Sequence, residues 1–180
     1  MTDSASFSPV EWTILTELPI RVLAAAIQAD KSGEIGMLMQ QATGLTELSS
    51  RSNEYSSSEL VQRVFEHYKS QGDGEAQTLQ LSEQWIERLL PDTLERARQA
   101  SEILDEKADP ADAAAYKLWL LETAAAVCAA TTTGGFLGIG GERISEKEQA
   151  YLDELAAAFE VSADDEYKGN APWGNRLDTM

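Results

Sequence analysis

The sequence predicts an all-α fold, a single globular bundle of about seven or eight helices. Three observations carry that prediction. Helix-start signatures recur along the 180 residues, apolar residues return at three- and four-residue spacing behind them, and no stretch alternates like a β-strand.

Ser8-Pro9-Val10-Glu11 combines an N-cap serine, a proline at the first helical position and a glutamate three residues after the cap. Trp12, Leu15 and Leu18 then share one side of a short helix. Pro19 interrupts that pattern, and because proline fits the first helical turn better than the interior, it is expected to begin a second helix. The second helix, "IRVLAAAIQA", is apolar almost all round, which predicts burial. Gly33 marks a turn, and Met37, Leu38, Gln41, Leu45 and Leu48 suggest a third helix in which Gly44 is either interior or a cap. The serine-rich run "TELSSRSNEYSSS" reads as a surface loop.

Ser56-Ser57-Ser58-Glu59 offers a second capping box, followed by Leu60, Val61, Val64, Phe65 and Tyr68 at helical spacing. Glu75 to Lys107 is helical again through Leu81, Trp85, Leu89, Leu94, Ala97, Ser101 and Leu104, with Pro91 expected to divide or kink it. Asp109-Pro110 caps a long helix reaching about Ala130. Ser145-Glu146-Lys147-Glu148 is the third capping box, and Tyr151, Leu152, Leu155 and Phe159 continue behind it. The expected division is a helical domain over 1–160 and an acidic C-terminal tail over 161–180. Trp12, Trp85 and Trp119 read as core, whereas Trp173 in "APWGN" is placed to pin the tail or meet a partner.

A net charge of −17 weighs against nucleic-acid and anionic-membrane partners, whose phosphates this surface would repel. The apolar run Leu118 to Ala130 contains Glu122 and is shorter than the ~20 residues of a membrane span, so no membrane insertion is expected. The start "MTDSASFSP" lacks a basic segment followed by an apolar one, and the expected location is cytoplasmic. Cys128 is the single cysteine, which excludes an intrachain disulfide and a thiolate metal cluster and reads as a small buried side chain. His67 is the single histidine, too few for a typical zinc site.

Two segments echo each other at a spacing of one hundred residues: "LAAAIQADKSGEIG" from Leu23 and "TAAAVCAATTTGG" from Thr123. Ala24, Ala25 and Ala26 align with Ala124, Ala125 and Ala126, and each alanine tract precedes glycines and another helix, a pattern that suggests repeated helix-loop-helix units. Alanine faces let helix axes approach, so these two helices are candidates to cross centrally.

With "GGERISEKEQAYLDELAAAF" after the second tract, residues 115–160 resemble the TerB-like domains associated with tellurite resistance and chemical stress, and 12–48 echo them. That resemblance implies an all-helical pseudo-repeat whose loop-proximal acids are linked to divalent metals. It matches Asp30 and Glu148; where the family pattern has an aspartate closing the second alanine-rich helix, this chain has Ala130.

The candidate cation ligands are Asp30, Glu34, Glu142 and Glu148, since hard cations such as calcium and magnesium take oxygen ligands. "GGFLGIGG" follows a helix and lacks the Gly-Lys-Ser/Thr of a phosphate loop, so it reads as a connection. Its apolar tip, Phe136, Leu137 and Ile139, folds onto the core or forms a contact knob for a protein partner or a second copy. The expected function is a non-enzymatic helical interaction or stress-response module with a divalent-cation option. The alternatives are a small metal-dependent enzyme with clustered carboxylates and an oligomerising subunit built on the apolar loop.

Overall fold

A computed structural model describes residues 6–29, 33–70, 83–130 and 144–161, with backbone alone at 33–43 and 83–87. The described residues form six α-helices: α1 (Pro9–Gln28), α2 (Gly33–Glu54), α3 (Glu59–Ser70), α4 (Glu83–Lys107), α5 (Pro110–Ala129) and α6 (Glu146–Ala158). The all-α class stands; where the sequence suggests seven or eight helices, the described residues form six. Neither interior proline divides its helix: α1 runs on through Pro19 and α4 through Pro91.

The physical reason is visible at Pro19. A proline inside a helix leaves the carbonyl four residues earlier without its N–H donor. That carbonyl belongs to Leu15, and the buried Tyr116 hydroxyl on α5 donates to it at 2.7 Å. Burial holds the Tyr116 phenol well above its usual range, so it stays protonated and able to donate. The interruption in α1 is thereby repaired from the neighbouring helix. Tyr151 on α6 donates to the same helix, at the Val22 carbonyl, over 3.1 Å.

The serine-rich stretch is also corrected. Rather than a surface loop, its first nine residues, 46–54, complete α2. Leu48 and Ser52, one turn apart, are both buried, and the Ser52 hydroxyl donates to the Ser49 carbonyl at 2.7 Å. Contacts with α5 override the weak helix preference of serine here. The cap of α3 is Ser58 rather than Ser56: its hydroxyl oxygen accepts the Val61 N–H and donates to Asp112 on α5 at 2.7 Å.

The boxes at Ser8 and Ser145 form as expected, each serine hydroxyl accepting from the third helical N–H while that residue's glutamate accepts from the serine N–H. Glu11 has a second task, binding Lys107 of α4 at 2.7 and 2.8 Å. The bonds from Lys107 and from the Ser8 N–H hold the Glu11 carboxyl down at about 2.

α5 packs against every other described helix and is buried on nearly all sides. α1 lies parallel to it, with Leu15 beside Tyr116 and both Leu23 and Val127 touching the Gly44 position. α2 runs antiparallel, since Gly44 faces Val127 while Leu48 and Arg51 meet Trp119 and Glu122. α6 ends with Val161 N–H donating to Ala156 O and Glu160 N–H to Ala157 O, a Schellman closure. The position that normally favours glycine in this motif holds Glu160 at φ 55°, a left-handed conformation that strains a residue with a Cβ.

Gly44 is interior, not a cap. A Cβ there would sit 3.0 Å from both Leu23 Cδ2 and Val127 Cγ2, so glycine lets α2 approach two helices at once. Gly44→Ala is therefore expected to destabilise the fold by about 1 kcal/mol, the overpacking cost exceeding the helix-propensity gain. Urea unfolding of both proteins checks this, and a stabilised variant would show that α1 and α5 yield to the methyl group.

Candidate functional site

Four polar side chains buried on α5 reach its neighbours, and their arrangement follows from its sequence. Asp112, Tyr116, Trp119 and Glu122 recur at three- and four-residue intervals, so they occupy neighbouring turns. Each reaches a different partner. Asp112 accepts from Ser58 at the start of α3, Tyr116 donates to the Leu15 carbonyl of α1, and Trp119 Nε1 donates to the Leu48 carbonyl of α2 at 3.1 Å.

Glu122, only 5% exposed, is the member of the series paired with a cation. Arg51 Nη1 lies 2.8 Å from its Oε2 and the Tyr55 hydroxyl donates to its Oε1, also at 2.8 Å. Arg51 in turn binds Glu47 through Nε at 3.0 Å. Burial pushes the Glu122 carboxyl above its usual range, with Tyr55 and Arg51 pulling the other way. Each Glu122 oxygen thus has a donor from the end of α2, and the group works as a fastening between α2 and α5. The sequence did carry a signal for it: Glu122 is a lone carboxylate inside an apolar run, which predicts a buried partner as much as it argues against a membrane span.

Of the four proposed cation ligands, Glu148 alone has a described side chain. It is 1% exposed, and its Oε2 accepts the Ser145 N–H at 2.9 Å in the capping box. Asp30 and Glu142 lie outside the described residues, and Glu34 falls in the part of α2 described by backbone alone. Among the described residues, no group of three or more His, Cys, Asp or Glu side chains is placed to hold a metal ion. Phe136, Leu137 and Ile139 also lie outside the described residues, as does Trp173, and the Trp85 side chain is not described.

Glu148 sits near Cys128, which is fully buried. Burial first, and then the Glu148 charge, push this thiol far above its usual range, so Cys128 persists as an unreactive thiol. His67 stands edge-on to Trp12 with ring centroids 6.4 Å apart, and Trp12 stacks on Phe7 at 6.2 Å. Trp12 is half-buried and Trp119 fully buried, in line with their reading as core.

A groove of about 260 Å³ opens between α4, α5 and the C-terminus of α6. Its walls include Leu104, Leu118 and Phe159, and Lys117 Nζ is paired with Asp105 Oδ1 at 2.7 Å within it. Nothing in the spacing of these residues announced the groove, because it arises where three helices meet. No described helix is long and apolar enough to cross a membrane. Compared with family models, with curated proteins and with solved structures, the chain matches none.

Arg51→Met leaves the buried Glu122 with Tyr55 alone and is expected to cost about 3 kcal/mol at pH 7. Without the cation the folded-state pKa of Glu122 rises further above its unfolded value. Such an acid contributes stability below its unfolded pKa and loses it as pH rises through the folded one. The penalty should therefore shrink as pH falls from 7 towards ~5. Urea unfolding at both pH values tests the sign, and a pH-independent penalty would rule out Glu122 ionisation as its source.

Proposed function

We propose that this chain is a non-enzymatic helical interaction or stress-response module of the TerB-like kind. The observation that carries the reading is where four buried polar side chains of α5 are engaged. Asp112, Tyr116, Trp119 and Glu122 of α5 bind partners on α3, α1 and α2, so this chemistry goes into assembling the helices. Function then rests on the surface such a scaffold presents.

The pseudo-repeat belongs to the same proposal. α1 and α5 carry the two alanine tracts, lie parallel and precede α2 and α6, which both run antiparallel to α5. Leu23 and Val127 reach the same level of the fold at Gly44, a few residues before their helices end. That supports the two helix-loop-helix units as counterparts, with their connections leaving towards the same end. Burial does differ between aligned positions, Ala24 being half-buried where Ala124 is fully buried.

In this reading Asp30, Glu34, Glu142 and Glu148 offer oxygens to a divalent cation, and Phe136, Leu137 and Ile139 offer an apolar contact to a protein partner or a second copy. Calorimetric titration with calcium, magnesium, manganese and zinc chlorides addresses the first part. Binding that weakens in Asp30→Asn/Glu34→Gln supports the cation site, and no heat at millimolar cation removes it. Light scattering addresses the second. The chain is expected to exceed its 19.7 kDa protomer mass and Phe136→Ser/Leu137→Ser to return it to that mass. A folded double variant with unchanged mass would rule out the apolar tip as a self-association surface.

A further inference from the structure

We draw no further inference here: the strongest candidate, the groove between α4, α5 and the C-terminus of α6, has its Lys117 and Asp105 paired with each other, and nothing among the described residues shows what covers its apolar wall.

Discussion

A proline in the middle of the first helix is the constraint around which the described structure is arranged. Pro19 removes one backbone donor, and the orphaned Leu15 carbonyl is buried where water cannot reach it. A buried unsatisfied carbonyl costs about 1–3 kcal/mol. Tyr116 removes that cost only when α5 lies alongside α1 in one register, because the hydroxyl must arrive within hydrogen-bond distance of one carbonyl. The defect in α1 thus becomes a specification for how α1 and α5 pack.

The same logic extends along α5. Apolar side chains supply most of the driving force for burying this helix, but apolar contacts alone would tolerate rotation and sliding. Tyr116 sets α1, Trp119 and Glu122 set α2, and Asp112 sets the start of α3. Gly44 adds a steric condition, since α2 reaches Leu23 and Val127 only where a side chain is missing. Burying Glu122 opposes folding until Arg51 and Tyr55 are in place, so its contribution is to discriminate against other arrangements of α2.

The class of fold was legible because helix starts are local. The boxes at Ser8 and Ser145 each need four consecutive residues, and both are present. Burial of the alanine-rich helices was legible from their lack of a polar face. The helix count was not, since the survival of α1 across Pro19 depends on a hydroxyl 97 positions away in sequence. Ser52 and Arg51 sit in a stretch whose composition favours a loop, and only their contacts across to α5 and within α2 make it helical. For the candidate site, the carboxylates could be named from sequence, but their convergence is a tertiary property. Glu148 illustrates the limit: the capping box was readable, whereas its near-complete burial beside Cys128 was not.

The central claim is that Tyr116 offsets the break made by Pro19, and a double-mutant cycle of Tyr116→Phe and Pro19→Ala measures it directly. In the parent protein Tyr116→Phe should cost about 2 kcal/mol, because the Leu15 carbonyl loses its donor. In the Pro19→Ala background the helix supplies its own N–H, and the same substitution should cost less by about 1 kcal/mol. Strictly additive losses, with no coupling between the two positions, would contradict the account.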